Sequence, residues 1–424
     1  MTLSLFEIAA LLLGLSALFG WLNHYVIHLP HTIGLVVMAL LASLVLLGVE
    51  QVFPGLGVTT TLQGAIGSID FYATVMEGML AFLLFAGALH VDFSYLRSQA
   101  WAIGLMASVG VVISTAIVGT GFWYLCQLLG IPMPYVWALV FGALISPTDP
   151  VAVLSLLKSI NVPEALEAKI AGESLFNDGV GVVVFAILVA IALSLTGQGN
   201  GEEVTALTVA ELFFLEAGGG ALLGFAAGFL AYKAMATIDD YAIEVLITLG
   251  LVACTYAIAL RLHLSGPIAV VVAGLLIGNR GARVGMTEET RKHLFHFWEL
   301  LDEILNSVLF LLIGLEILVL TIDPDFFTLG LLAIPLVLIA RFIAVSIPIT
   351  LLSFRQTFTA GSIPVLTWGG LRGGISVALV LSLPAIAEKP AILVATYAVV
   401  LFTVIVQGLT VKYVVRRTVD PALL

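Results

Sequence analysis

Residues 172–194 read GESLFNDGVGVVVFAILVAIALS. From Gly179 onward the stretch is apolar enough to cross a bilayer, yet its first turns place Glu173, Ser174, Asn177 and Asp178 at the edge of that run or inside it. Glu173 and Asn177 are four residues apart, as are Ser174 and Asp178, so helical periodicity puts all four on one side. Gly179 and Gly181 follow, small enough to let another backbone approach closely. A charged side chain at the bilayer centre costs about 2.5–3.5 kcal/mol on insertion scales. Such a carboxylate must be paired, protonated or bound to a cation. A hard monovalent cation takes oxygen ligands, which this face supplies as carboxylate, hydroxyl and amide oxygens. The same carboxylate can bind a proton, because burial raises its pKa and nearby positive charge lowers it. Proton and metal ion then compete for one site, which suffices for obligatory exchange if only the loaded or protonated site crosses. A gradient of one pH unit supplies about 1.4 kcal/mol to such an exchange. Asp178 has few structural alternatives in a membrane interior. Glu173 also suits a structural pairing with an intramembrane arginine, and Ser174 a bond to its own helix backbone.

Composition places this stretch in a polytopic membrane protein. The chain is 61% hydrophobic and 10% charged, with a mean hydropathy of +1.17, whereas soluble domains carry about 25% charged residues. About thirteen segments approach the ~20 apolar residues that a helical span needs: 5–24, 30–48, 72–91, 101–128, 135–158, 170–196, 209–231, 240–260, 265–279, 301–320, 328–353, 362–383 and 391–413. The first lacks a basic leader and a small-residue cleavage site and reads as a retained span. Only a short tail follows the last, so a single membrane domain over 1–424 is expected, without a soluble C-terminal domain. Cys126 and Cys254 both sit in apolar runs and give neither a disulfide framework nor a metal spacing.

Basic residues favour cytoplasmic loops. With the N-terminus outside, only Arg261 and Lys389 of the 16 Lys and Arg residues fall in outer loops, while Arg341 and Arg372 lie inside spans. The others fall on the inner side, including the basic loop NRGARVGMTEETRKH at 279–293. The outer side receives the long loop 49–70 and the acidic loop GQGNGEEVTA. The expected orientation is therefore N-out and C-in, in a plasma membrane.

Two spans are interrupted. The fifth contains ALISPTDPVAVL, where Pro147 and Pro150 lack an N–H and disfavour helix before them. The twelfth contains TWGGLRGGISVAL, with glycines on both sides of Arg372. Backbone freed at membrane depth must be satisfied by protein, water or an ion. The odd separation of the two spans gives 1–6 and 8–13 opposite topology, with the seventh as linker. Interrupted helices at equivalent places of inverted repeats point to a secondary transporter's binding site. Facing half-helix N-termini concentrate positive partial charge and C-termini negative. Asp149 can offset the first and Arg372 the second, and carbonyls freed near Thr148 can add cation ligands.

The stretches SPTDPVAVLSLLKSINVPEALEAKIAGESLFNDGVGVVVF, LNSVLFLLIGLEI, LIARFIAVSIP and TWGGLRGGISVALVLSLP resemble the cation:proton antiporter-1 family. That family comprises the bacterial NhaP-type and eukaryotic sodium/proton exchangers, and the resemblance covers essentially all of the spans. It implies an all-α fold with two inverted six-helix repeats, in which discontinuous helices five and twelve cross in a core bundle (about 101–196 and 328–414). A dimerisation bundle (about 1–91 and 209–320) stands beside it in a homodimer, and the core moves against it like an elevator. The resemblance makes Asp178 the cation- and proton-binding carboxylate. It makes Asn177 the neutral partner of an Asn-Asp pair, which implies electroneutral one-for-one exchange. It supplies the Thr148 carbonyl and the Ser174 hydroxyl as ligands, with Thr148 and Asp149 at the first crossing and Arg372 at the second. It pairs Glu173 with Arg341 as a structural ion bridge that also holds Asn177. One departure concerns span three, where Ala86 stands in LLFAGALHVD at a place many bacterial members fill with glutamate.

Na⁺/H⁺ exchange with Li⁺ accepted is the leading reading, in the service of pH homeostasis, and K⁺/H⁺ exchange on the same fold is the nearest alternative. An intramembrane protease using Asp149 and Asp178 is a different class, but neither aspartate has that chemistry's Gly-x-Gly-Asp context. A passive cation channel is a third. The chain has no P-loop, so ATP is not expected to drive it, and neither a cofactor nor a nucleic-acid partner is expected. Gly220, Gly224 and Gly228 form a close-packing stripe that also suits a dimer interface. Glu77, Glu216, Glu244 and Glu316 are candidates to line a funnel to the site or to sit at helix ends. His24, His28 and His31 read as a polar turn. His293 and His296 flank the basic inner loop and are candidate pH sensors.

Overall fold

The computed structural model describes residues 4–53, 71–149, 153, 164–196, 206–318, 323–354, 358 and 361–419. Most of the long outer loop, the acidic loop, Pro150 and Lys158 lie outside these residues.

The described chain is helical throughout. Its elements are α1 (Leu5–Leu22, continued by a π-helical turn to Ile27), α2 (His31–Val52), α3 (Leu80–His90, after a π-helical entry Ala73–Met79) and α4 (Val111–Leu128, after Ala100–Leu105 and a π-helical turn). They continue as α5 (Tyr135–Ile145), α6 (Glu164–Leu195), α7 (Ala206–Met235), α8 (Tyr241–Arg261), α9 (Gly266–Leu276), α10 (Glu288–Leu315) and α11 (Pro324–Leu352). The last are α12 (Ser362–Trp368), α13 (Gly374–Leu381) and α14 (Lys389–Phe402, continued through a π-helical turn Thr403–Gln407 into Gly408–Thr418). Among the described residues, nine helices are long and apolar enough to cross a membrane, and α5 and α9 are shorter apolar helices. The perimeter carries large apolar side chains, with Phe6 82% and Leu128 78% exposed. Such a surface is stable against lipid, not water.

Capping sets several starts. Ser4 accepts from the Glu7 N–H, and the Glu7 carboxylate accepts from the Ser4 N–H, a reciprocal pairing that satisfies two orphan donors. α10 begins well before the expected span at 301, taking in residues read as loop. Thr287 accepts from Thr290 N at 3.4 Å, and Glu288 and Glu289 occupy the first turn, so cap and dipole both favour helix there. The charged turns therefore form a helical extension of the apolar half.

Helices α4, α5 and α6 pack against one another, and α11 packs against α4, α12 and α14. Separately, α2 packs on α10, α3 on α9, and α7 and α8 on α9. The glycine stripe of α7 faces α9 of the same chain. A Cβ at Gly220 would lie 2.5 Å from the Ser265 carbonyl, one at Gly224 would strike the Ala269 carbonyl, and one at Gly228 would come within 3.1 Å of Ala273 Cα. Small residues let these two backbones touch, and this contact, not a second copy, occupies the stripe.

Candidate functional site

The two interruptions meet. α5 stops at Ile145, Ser146 caps it, and the chain runs on non-helically to Asp149. α12 stops at Trp368 and α13 starts at Gly374. The connecting stretches pass antiparallel, with Asp149 N donating to the Leu371 carbonyl at 2.8 Å. Glycine permits the approach: a Cβ at Gly370 would lie 2.6 Å from Arg341 Nε, and one at Gly373 would overlap the Asp149 carboxylate.

Arg372 is buried, and its Nη1 donates to the carbonyls of Ser146 and, at 2.8 Å, of Pro147. Those carbonyls lie at the negative end of α5. The Asp149 carboxylate packs against Gly373, the residue before the first turn of α13, where the partial charge is positive. Ser146 is itself fixed, its Oγ donating to the Gly142 carbonyl at 2.6 Å and lying 2.8 Å from Ser114 Oγ, from which it can accept.

The polar face of α6 abuts the α5 break. Asn177 Oδ1 accepts from Thr148 N at 3.2 Å, and Asn177 Nδ2 donates to Thr148 Oγ1 at 2.8 Å. Thr148 Oγ1 also lies 2.9 Å from Ser174 Oγ. Ser174 thus pairs across to Thr148. A Cβ at Gly181 would strike Pro147, and one at Gly179 would lie 2.8 Å from Ile268 of α9, so both glycines sit at close contacts. Asp178, next to this clasp, is 5% exposed. Among the described residues no hydrogen bond joins its carboxylate, and Asp149, Arg372 and Glu173 lie within Coulombic reach.

Glu173 and Arg341 form a buried two-pronged pair, Nη1 to Oε1 and Nη2 to Oε2, the latter at 2.8 Å. Arg341 also donates from Nε and Nη2 to the Leu366 carbonyl at 3.2 and 3.0 Å. The pair therefore ties α6, α11 and α12 together. Among the described residues no hydrogen bond joins it to Asn177, contrary to expectation: both ends of that amide turn to Thr148.

Three residues of α14 escaped the sequence reading. Thr403 Oγ1 accepts from Arg372 N at 3.1 Å, Gln407 Nε2 donates to the Trp368 carbonyl at 3.0 Å, and Thr410 Oγ1 accepts from Trp368 Nε1 at 2.8 Å. Their signal was available: polar side chains at 403, 407 and 410 in an otherwise apolar run share one helical face. The remaining candidates lie elsewhere. His31 Nε2 sits 2.8 Å from Ser307 Oγ, His296 Nδ1 lies 2.7 Å from the Lys292 carbonyl, and His293 packs on the Tyr241 ring. Glu244 is fully buried in α8, Glu216 and Glu316 are part-exposed, and the Glu77 side chain is outside the described set. Ala86 is buried on α3, whose next residue, Gly87, faces Leu175 of α6.

An all-helical, lipid-exposed bundle with a buried carboxylate beside two touching helix breaks is the build of a multi-pass membrane transport protein. The chain belongs to the sodium/hydrogen exchanger family, whose transmembrane domain matches residues 9–417. It is 46% identical to the Na⁺/H⁺ antiporter NhaP of Pseudomonas aeruginosa, over 97% of this chain and 96% of that one. It is 38% identical to the Na⁺/H⁺ antiporter NhaH of Halobacillus dabanensis, over 82% and 83% of the two chains. Its fold is similar to that of the sodium proton antiporter MjNhaP1 from Methanocaldococcus jannaschii, with a TM-score of 0.73, 18% identity and coverage of 96% and 97%. This is a family of transporters, not enzymes, which removes the protease reading of Asp149 and Asp178.

Proposed function

We propose that the protein is a secondary antiporter that exchanges Na⁺, and also Li⁺, for H⁺ one for one at Asp178. The observation that carries this reading is the Asp178 carboxylate: buried, unbonded among the described residues, next in the chain to Asn177 and one helical turn on from Ser174, the two α6 residues that grip Thr148. Asn177 holds Thr148 in place and adds no charge, so one cation replaces one proton and the exchange is electroneutral. Loaded or protonated, Asp178 is neutralised and can move through a low-dielectric path. Empty and ionised, it is costly to move, which enforces coupling. Arg372 and Asp149 balance the helix ends at the crossing, and Glu173 with Arg341 braces the bundle.

The architecture in this reading has thirteen crossings in two inverted repeats. Its support is a matched pattern of packing, since α2 sits on α10 as α9 sits on α3, and α4 meets α11 between the halves. The core bundle comprises α4–α6 and α11–α14, and the remaining helices form the dimerisation bundle of a homodimer. The N-terminus faces outward and the C-terminus the cytoplasm of a bacterial cell, following the basic residues.

The test is everted vesicles with an acidified lumen and a pH-sensitive dye. NaCl and LiCl should release protons in the wild type and not in Asp178→Asn. Absence of any response to Na⁺, Li⁺ or K⁺ between about pH 6 and 9, a range spanning ordinary side-chain control of such sites, would refute exchange. Ala86 favours keeping K⁺ as a second cation, because it brings no carboxylate to the place in span three that many bacterial members fill with glutamate. The same vesicles given KCl decide between them.

A further inference from the structure

We infer that Thr403 and Gln407 of α14 are positioning residues that fix the α12–α13 break and, through it, the aim of Arg372. α12 ends at Trp368. A helix leaves its last carbonyls without partners inside the helix. Two of those here are met by side chains from other helices: Leu366 by Arg341, and Trp368 by Gln407 Nε2 at 3.0 Å. Across the break, the Arg372 backbone N–H is met by Thr403 Oγ1 at 3.1 Å. One turn of α14 therefore holds the chain on both sides of the glycine-rich link. Glycines leave that link without conformational preference of its own, so its geometry depends on what grips it.

The grip sits on an irregular piece of helix. Thr403–Gln407 is π-helical, and such bulges recur at functional sites. Both side chains are buried, with relative exposures of 1% and 0%. Among the described residues, Arg372 Nε and Gln407 Oε1 are buried without hydrogen-bond partners, and both residues line the crevice bounded by Arg341, Thr367 and Gly370. A guanidinium that relies on its Nη1 for its hold on Ser146 and Pro147 is sensitive to where its own backbone stands. A shift of that backbone moves the positive charge relative to Asp178, and so changes how cation and proton compete there. α14 is thereby a determinant of apparent cation affinity and of the pH profile, although neither residue need touch the ion.

The inference rests on the exchange reading above, and its test separates the two. Wild type, Asp178→Asn, Thr403→Val and Thr403→Ser are compared in vesicles for apparent KM for Na⁺, maximal rate and pH midpoint. Purified protein is compared for the Na⁺-dependent rise in melting temperature. Thr403→Val keeps the shape and removes the acceptor, leaving the Arg372 N–H buried and unpaired. It should raise the Na⁺ KM about fivefold or more, move the pH midpoint and shrink the Na⁺-dependent thermal shift. Thr403→Ser, which restores the hydroxyl, should behave as wild type. Gln407→Leu should repeat the Val result. If Thr403→Val only lowers the yield of folded protein, with KM, pH midpoint and thermal shift unchanged, the positioning role is wrong. A wild type that exchanges nothing would instead remove the function on which the inference stands.

Discussion

Arg341 holds both carboxylate oxygens of Glu173 while donating to the Leu366 carbonyl, joining three helices at one buried guanidinium. Removing one partner leaves the other as an unpaired buried charge. Arg341→Ala or Glu173→Gln should therefore cost about 3–5 kcal/mol. The measurement is the melting of detergent-solubilised protein by size-exclusion fluorescence. Replacing both residues with methionine should recover part of the loss, since the unpaired charge disappears. Single variants that melt like wild type would show the pair to be dispensable.

Asp178→Asn should abolish cation-dependent proton flux and leave the melting profile near wild type. The carboxylate accepts no hydrogen bond among the described residues, so the amide breaks no contact and removes a costly charge. Vesicle flux and melting are read on the same preparation. Exchange at the wild-type rate would place the site elsewhere.

Apparent cation affinity should rise with pH. Where the proton and cation compete for Asp178, each unit of pH removes about ten-fold of the competitor, equivalent to about 1.4 kcal/mol. The Na⁺ KM should therefore fall as pH increases through the titration, then level off once the carboxylate is ionised. Titrating KM over two pH units checks this, and a constant value contradicts competition at a shared site.

Gly181→Leu should disrupt the site more than it disrupts the fold. A Cβ there already meets Pro147, so the bulkier side chain pushes the α5 break away from α6 and from Asp178. Overpacking of this kind costs about 1–3 kcal/mol. Gly224→Leu, against the Ala269 carbonyl, should destabilise without that displacement. The contrast is read as KM against melting temperature for the two variants.

Much of this was legible in the sequence because helical periodicity and bilayer thickness are local constraints. The run after Gly179 had to be a span, the four polar residues of 172–178 had to share a face, and Pro147 and the glycines around Arg372 had to interrupt their helices. Tertiary structure decided which groups meet. It gave Asn177 to Thr148 and not to the Glu173–Arg341 bridge. It turned the stripe Gly220, Gly224 and Gly228 onto α9 of the same chain. It also laid the α14 residues Thr403 and Gln407 across the α12–α13 break. Periodicity fixes the side of a helix on which a residue stands. The partner on that side depends on how separate helices pack over long sequence distances, and no local spacing encodes that.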